Sequence, residues 1–238
     1  MFTGIVQGAY PVVRTADRPG LRTLVLDLPE ALRRGLEPGA SVAISGVCLT
    51  VTAITAEGVA FDAIRETQDR TTLGTLRRGD RVNVERSARA GDEVGGHELS
   101  GHVDGTAEIA AVDRPPGNHV IAFRAPRELL RYVFPKGFIA LDGCSLTVVD
   151  VDRDAGSFTV HLIPETLRVT TFGEKCAGDR VNLEIERRTQ VIVDTVREVV
   201  GDTLSEIVRD TVREAVREQL TSGDASRVGR ETELTVRR

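Results

Sequence analysis

The stretch ISGVCLTV, residues 44–51, returns as LDGCSLTV at residues 141–148. The two copies lie 97 residues apart, and the pairs that define this offset are Gly46–Gly143, Cys48–Ser145, Leu49–Leu146 and Thr50–Thr147. Further pairs follow in the same order at the same offset, among them Gly4–Gly101, Gly8–Gly105 and Pro29–Pro126. So many ordered matches indicate an internal repeat, which decides the fold before any local pattern is considered.

After the middle of each copy the offset of the repeat grows to 99 residues. The pairs at this offset include Glu66–Glu165, Thr67–Thr166, Arg81–Arg180 and Asn83–Asn182. The second copy therefore contains two extra residues. We place them in the polar turn DRDAGS (152–157), which replaces the shorter TAEG (55–58), because hairpin turns tolerate insertions.

Each copy has the pattern of a small β domain. The segments SVAISGVCLTVTAI, VAFDAI, FIALDGCSLTVVDV and FTVHLI alternate apolar and polar residues as short strands do. One short helix per copy is expected at PEALRRGL and PRELLRYVF, each with proline near its start. Roughly six strands in about 90 residues suit a small antiparallel barrel. The predicted fold class is mainly β, with two tandem six-stranded antiparallel Greek-key barrels followed by a C-terminal α-helix.

Four domains or segments are predicted: an N-terminal barrel at 1–88, a C-terminal barrel at 89–187, a helix at 188–220 and a disordered tail at 221–238. The helix is predicted because apolar residues recur every three or four positions, from Val193 to Leu220. Its apolar stripe needs a partner surface. Packing on the barrels and association with other subunits remain equally open from the pattern. The tail is mostly polar, which predicts disorder.

Composition excludes several classes of function. A formal net charge of −5 and no basic stripe argue against a nucleic-acid partner. No apolar run reaches 18 residues and no secretory signal is evident, so no membrane association is expected. Three cysteines with no CxxC pair, and four scattered histidines, predict no disulfide framework and no metal site. We expect a cytoplasmic protein.

Five motifs resemble the riboflavin synthase family of the trimeric, duplicated-barrel type: MFTGIV, GVCLTV, GGHELSGHVDG, KGFIALDGCSLTV and HLIPETL. The resemblance covers residues 1 to about 195. It implies a transferase that takes two molecules of 6,7-dimethyl-8-ribityllumazine and moves a four-carbon unit between them. It also implies a homotrimer joined by the C-terminal helix, and a site between the N-terminal barrel of one subunit and the C-terminal barrel of another. No metal or redox cofactor is implied.

The repeat and the resemblance together point to site residues. The residues expected in catalysis are Cys48, His102, Ser145, Thr147 and Glu186. The residues expected to bind substrate are Phe2, Gly4, Ile5, Val6, Leu49, Thr50, Asp62, Ala63, Ile64, Arg65, Glu66, Thr67, Gly101, Val103, Lys136, Leu146, Leu162, Ile163, Pro164, Glu165, Thr166 and Leu167. The two glycines are chosen because glycine lets a ligand approach the backbone.

Some of these residues also have structural interpretations. Cys48 is a thiol where the second copy has a hydroxyl, but a buried structural cysteine is a common alternative. Glu186 departs from the family pattern, which has Asp there, and its longer side chain shifts the carboxylate. Cys144 and Cys176 are expected to be small core residues. His97, His119 and His161 receive no catalytic role.

Two other functions compete with catalysis. A non-catalytic lumazine- or flavin-binding protein of the same fold would be expected to keep one site and lose the other. Both CLT and SLT, and both ET pairs, are present here, which favours an enzyme. A flavin-dependent oxidoreductase would need a nucleotide-binding domain, and no strand-linked GxGxxG motif occurs.

Overall fold

A computed structural model shows two closed antiparallel barrels of six strands each, followed by a long helix. The structure describes residues 1–214 and 217 in full. The backbone is described to residue 234, so residues 221–234 of the predicted tail form the end of the C-terminal helix, and residues 235–238 lie outside the described part. The chain divides into two units, Met1–Thr189 and Gln190–Arg238. None of the helices within the described part of the chain carries an apolar run that could cross a bilayer.

The strands of the first barrel are β1 (Gly8–Arg18), β2 (Leu21–Leu26), β3 (Ser41–Ile44), β4 (Val47–Ile54), β5 (Val59–Ile64) and β6 (Arg81–Arg86). Those of the second are β7 (Gly105–Asp113), β8 (Val120–Arg124), β9 (Phe138–Leu141), β10 (Cys144–Asp152), β11 (Ser157–His161) and β12 (Arg180–Ile185). Their neighbour orders are β1-β2-β5-β4-β3-β6 and β7-β8-β11-β10-β9-β12, so the topology of the repeat is identical. The crossover from β2 to β5 is of the Greek-key kind.

The helices are α1 (Glu30–Arg33), α2 (Arg65–Arg70), α3 (Arg127–Leu130), α4 (Pro164–Val169) and α5 (Arg187–Leu234). The expected helices at PEALRRGL and PRELLRYVF are correct in place but shrink to one turn each, α1 and α3. Short 3₁₀ turns follow α2 and α4, at Thr72–Thr75 and Thr171–Gly173. Helix α5 begins at Arg187, a residue earlier than the segment predicted for it.

The repeated motif of the opening sequence forms a hairpin, not one continuous strand. Ile44 pairs with Val47, and Leu141 pairs with Cys144, which leaves a two-residue turn in each copy. Both turn residues have positive φ, 43° at Ser45 and 81° at Gly46, as a type I′ turn requires. The predicted strand over 41–54 is therefore corrected to β3, a turn and β4.

The two extra residues of the second copy lie where they were placed, but they do not lengthen the loop. The first hairpin ends at the pair Ile54–Val59 and the second at Asp152–Ser157, each closed by four residues. The insertion adds one cross-strand pair, Asp152–Ser157, to the end of the second hairpin. A paired addition keeps the register of both strands, so residues deeper in the sheet keep their faces.

Alternation along β4 separates core from surface. Val47, Leu49 and Val51 are buried in the first barrel, whose core also contains Phe61 and Leu24. The second barrel has an aromatic core in which Phe123 stacks on Phe158 at 5.4 Å and meets the edge of Phe172. Each fully buried side chain of this size contributes about 1.5–3 kcal/mol.

The barrels meet through reciprocal contacts. The amide of Asn83 donates to Asp142 O, and that of Asn182 donates to Ser45 O, at 2.9 and 2.8 Å. Gly46 and Gly143 face each other so closely that a Cβ on either would lie within 2.7 Å of the other's backbone nitrogen. The two halves are therefore related by an approximate twofold axis that passes between these glycines.

Candidate active site

The outer faces of β4 and β10 carry the divergent residues of the repeat. Cys48 and Thr50 alternate with the buried residues of β4, so that Cys48 is half-buried and Thr50 is exposed. On β10, Ser145 is half-buried and Thr147 is exposed in the same way. Each barrel thus presents the same two positions, with a thiol in one copy and a hydroxyl in the other.

The glycines of the repeat are exchanged between the barrels. Gly101 lies against Cys48 of the first barrel, where its carbonyl accepts from the Cys48 N–H at 2.9 Å. Gly4 lies against Ser145 of the second barrel, with the same bond at 2.9 Å. A Cβ on either glycine would lie within 2.6 Å of the Cβ of its partner, and both have φ near +76°. One wall of each site is therefore formed by a segment that leads into the other barrel.

His97 is a site residue that the sequence analysis missed. Its Nδ1 lies 2.6 Å from the Ser145 hydroxyl, its ring stacks on Phe138 at 5.0 Å, and the residue is only 6% exposed. Burial lowers the pKa of His97, and the nearby Glu186 carboxylate opposes that shift. A neutral imidazole in contact with a hydroxyl can accept its proton, so Ser145 has a base beside it.

No signal from the repeat could have found His97. The matched pairs of the repeat begin at Gly4–Gly101, so His97 lies outside the segment that the two copies share. His102, which has a counterpart in Ile5, was preferred for that reason. Its side chain is exposed next to Gly101, on the Cys48 side, and its N–H donates to the Ser100 hydroxyl at 3.1 Å.

The predicted segments 62–67 and 162–167 border these sites. Strand β5 ends at Ile64 beside the start of β4, because the two strands are antiparallel, and α2 follows at once. The same geometry holds for β11, β10 and α4. Ile64 and Ile163 are 58% and 64% exposed, which is unusual for isoleucine and leaves an apolar surface at each site.

Charged residues of these segments form ion pairs on the surface. Glu66 accepts from Arg70, and Glu165 accepts from Arg168. Arg65 donates to Asp69 at 2.9 Å, and Asp62 accepts from the Thr23 hydroxyl at 2.6 Å. Lys136 is exposed, with φ of +67°. Thr67, Thr166 and Leu167 are half-buried, and Pro164 is exposed at the start of α4.

Several residues expected to contact substrate have buried side chains instead. These are Phe2, Val6, Leu49, Ala63, Leu146 and Leu162. Leu49 belongs to the core of the first barrel, and Phe2 packs against Leu99, Ala43 and Ala140 between the barrels. Val103 is half-buried against the first barrel's core. These side chains support the site from within the barrels and do not line it. The sequence pattern alone did not separate the two faces of each strand.

The prediction for Cys176 was wrong about its burial. It was expected to be a small core residue, but it is exposed in the turn before β12. Cys144 is buried as expected, and burial raises the pKa of its thiol to about 12. Cys144 therefore has no reactive thiolate near neutral pH.

A cavity of about 500 Å³ opens beside the exposed Ile5 and is lined also by Thr3, Gln7, Glu85 and Gly95. Ile5 follows Gly4, so this cavity adjoins the Ser145 site. A second cavity, of about 610 Å³, lies between the barrels on the side of Asp142 and Lys175. Its lining includes Ser45 and Asp142, which lie three residues before Cys48 and Ser145, but neither member of the divergent pair lines it.

Comparison with known proteins agrees with this architecture. The family model described as the lumazine binding domain matches twice, at residues 3–87 and 100–186. The solved structure of LumP complexed with riboflavin has a TM-score of 0.73, with 23% identity over 79% of this chain and all of that chain. LumP complexed with 6,7-dimethyl-8-(1'-D-ribityl) lumazine gives 0.71. Two such domains in tandem, each with a matched strand site, define a protein of the lumazine-binding class.

Curated relatives narrow the class. Riboflavin synthase of Escherichia coli (strain K12) is 51% identical over 82% of this chain and 92% of its own length. The riboflavin synthases of Chlamydia pneumoniae and Brucella abortus are 46% and 43% identical, over 83% and 79% of this chain. The chain belongs to the riboflavin synthase family of transferase enzymes.

Proposed function

We propose that this chain converts two molecules of 6,7-dimethyl-8-ribityllumazine into riboflavin and 5-amino-6-(D-ribitylamino)uracil. A four-carbon unit leaves one lumazine and joins the other. The two products together contain all the atoms of the two substrates, so the reaction needs no external oxidant or reductant. The names of the curated relatives support this activity, and LumP, which shares the fold, is described in complex with a lumazine and with riboflavin.

The observation that carries the proposal is the pair of matched but unlike sites. A reaction between two copies of one molecule needs two related places, one for a donor and one for an acceptor. Here the same strand position is a half-buried thiol at Cys48 and a hydroxyl with a neighbouring base at Ser145 and His97. Holding two reactants in register contributes up to roughly 7–11 kcal/mol relative to their free encounter.

The roles of individual residues follow from the contacts. Ser145, with His97 accepting its proton, would move a proton at the methyl group or ring of the lumazine bound on the second barrel. Cys48, whose chemistry differs, would polarise or add to the other lumazine. The exposed hydroxyls of Thr50 and Thr147 are placed to bind the polar groups of each substrate. Glu186 acts through the field it exerts on His97.

Assembly from several subunits is the second part of the proposal. Cys48 and Ser145 lie on open outer faces of their barrels, so a substrate on either strand needs a second surface to enclose it. We place the first barrel of one subunit against the second barrel of a neighbour in a homotrimer. The exposed stripe on α5 supplies the contact between subunits. Its members, each more than half exposed, are Ile192, Val196, Val200, Leu204, Ile207, Val208 and Val212.

Turnover of the lumazine alone tests the proposal. The full chain is incubated with 6,7-dimethyl-8-ribityllumazine and no other reactant. Riboflavin fluorescence should rise, and the pyrimidinedione should accumulate in equal amount. Tight binding of the lumazine without either product would instead make the protein a binding module of the same fold.

A further inference from the structure

Two buried glutamates occupy matching positions in the barrels and make the same three hydrogen bonds. Glu85 on β6 accepts from the Thr3 N–H, the Thr3 hydroxyl and the Gly4 N–H, at 2.7, 2.8 and 3.1 Å. Glu184 on β12 accepts from the Ser100 N–H, the Ser100 hydroxyl and the Gly101 N–H, at 2.8, 2.7 and 3.1 Å. Both glutamates are about 5% exposed. Such close repetition indicates a shared task.

The segments that the two glutamates bind contact the sites of the opposite barrels. Thr3 and Gly4, held by Glu85 of the first barrel, continue to Ser145 of the second barrel through the bond from Ser145 N to Gly4 O. Ser100 and Gly101, held by Glu184 of the second barrel, continue to Cys48 of the first through the bond from Cys48 N to Gly101 O. Each carboxylate therefore reaches the site on the barrel to which it does not belong.

We propose that Glu85 and Glu184 are positioning residues that act crosswise: Glu184 fixes the wall of the Cys48 site, and Glu85 fixes the wall of the Ser145 site. This proposal rests on the function proposed above, because that function makes the surroundings of Cys48 and Ser145 substrate sites. Its geometry stands on the hydrogen bonds alone. The consequence is that neither barrel builds its own site, and the two sites of one chain depend on each other.

The burial of the two carboxylates and the donors that they accept are consistent with a positioning task. Burial raises the pKa of Glu85, although its bonds to Thr3 and Gly4 act in the opposite direction. A buried carboxylate is costly unless it is hydrogen-bonded, and each of these glutamates accepts three hydrogen bonds. A residue that is costly to bury yet accepts three donors from one turn specifies the path of that turn.

A competing route through the strands makes the proposal testable. Ala43 on β3 pairs with both Glu85 and Cys48, so Glu85 is joined to Cys48 through its own sheet. If the glutamates only support their own barrels, Glu85→Gln should change the reactivity of the Cys48 thiol. If they act crosswise, Glu184→Gln should change the reactivity of the Cys48 thiol, and Glu85→Gln should leave it unchanged.

Alkylation of Cys48 distinguishes the two routes. The full chain carrying Cys176→Ser is treated with iodoacetamide, and the modification of Cys48 is followed by mass spectrometry. Cys176 is removed because it is exposed, while Cys144 is buried and unreactive. Glutamine keeps the size of glutamate but turns one acceptor into a donor that faces an N–H. Glu184→Gln should speed the alkylation roughly tenfold, since hydrogen bonds to a charged group are the stronger ones.

The mirror experiment uses the divergent pair itself. In a chain carrying Cys48→Ser, Ser145→Cys and Cys176→Ser, the reporter thiol lies on the second barrel. Here Glu85→Gln should speed the alkylation, and Glu184→Gln should leave it unchanged. If a glutamine variant fails to fold, Thr3→Ala and Ser100→Ala remove one hydroxyl donor each and should show the same crossed pattern with smaller effects.

Equal acceleration by both variants, acceleration by the glutamate of the same barrel, or no change at all would each overturn the proposal. Adding riboflavin to the parent chain separates this result from the proposed function. If riboflavin does not protect the reporter thiols while the crossed pattern holds, the positioning role stands and the function fails. If riboflavin protects but the pattern is absent, the positioning role fails while the ligand site of the proposed function stands, and the turnover assay decides catalysis.

Discussion

Cys48 and Ser145 show how one position can be given two chemistries without changing the fold. Both lie at the second residue of a strand, half-buried, with a glycine of the exchanged segments beside them. The difference lies in the neighbours. The Ser145 hydroxyl lies within hydrogen-bond distance of His97, whereas Cys48 packs against the cluster of Phe2, Ala43, Leu99 and Ala140.

Cys48→Ser should lower the turnover of the lumazine much more than it lowers stability. Removing a group that takes part in covalent or proton chemistry costs on the order of 10²-fold or more in rate. A swap of similar volume at a half-buried site should cost less than about 1.5 kcal/mol of unfolding free energy. Turnover assays and urea unfolding of the same samples check this. Equal activity in both proteins would return Cys48 to a packing role.

His97→Gln should flatten the pH dependence of stability below about pH 6.5, the ordinary pKa of histidine. Burial lowers the folded-state pKa of His97, so the unfolded chain binds a proton first as the pH falls. Stability is then lost as the pH falls from about 6.5 towards the lower folded-state pKa. Burial lowers the pKa of His119 too, so the slope should shrink but not vanish.

Urea unfolding of both proteins between pH 5 and pH 8 measures this slope, with values chosen to bracket the ordinary pKa of about 6.5. The matched control is His102→Gln, because His102 is exposed. An unchanged slope in His97→Gln would show that folding does not lower the pKa of His97.

At the scale of elements, the exposed stripe of α5 is the feature that most needs a partner. Positions 196, 200, 204 and 208 are all apolar and all more than half exposed, along one side of the helix. Large exposed apolar surfaces on a helix mark association. The sequence leaves two partners open, the barrels and another subunit, and the assembly proposed above takes the second.

Leu204→Asp should reduce the mass of the assembly, measured by light scattering, because it buries a charge in the proposed contact between helices. Ser205→Asp is the matched control, since it adds the same charge at the next residue, about 100° around the helix. Ser205 is exposed and its hydroxyl donates to Gly201 O. An unchanged mass for Leu204→Asp would show that the helix does not join subunits.

At the scale of the whole molecule, the two halves of the barrel interface differ in one buried ion pair. Lys175 Nζ lies 3.2 Å from the Asp142 carboxylate, which is 3% exposed. Burial raises the pKa of Asp142, and Lys175 opposes that shift. The matching residues of the first half are Ser45 and Leu76. Asp142 also accepts from the Asn182 N–H at 2.7 Å, as Ser45 does from Asn83 at 3.3 Å.

Lys175→Leu should destabilise the chain by about 3–5 kcal/mol, because it leaves the Asp142 carboxylate buried and unpaired. The double variant Asp142→Ser with Lys175→Leu reproduces the first half and should recover most of that loss. Chemical unfolding of the two single variants, the double variant and the parent gives the coupling energy. Additive effects would mean that the ion pair contributes nothing beyond its members.

How much could be read from the sequence depended on what the repeat could reveal. It predicted the barrels, their order and the position of the insertion, because matched anchors constrain topology. It could not show that Gly4 and Gly101 cross to the opposite barrel, since either pairing fits the same pattern. It was blind to His97, which has no counterpart, and it placed Cys176 in the core because cysteine is usually buried.

The meeting of Gly46 and Gly143 on the approximate twofold axis has an evolutionary consequence. Before the two barrels were joined in one gene, such an axis would have related two separate copies, and every change beside it would have occurred twice. An aspartate at the turn would then have faced a second aspartate across a dry contact. Within a single chain the two halves are free to differ, and here one half has Asp142 and Lys175 where the other has Ser45 and Leu76. The contact between Gly46 and Gly143 keeps the symmetry of the repeat, and the residues beside it depart from that symmetry.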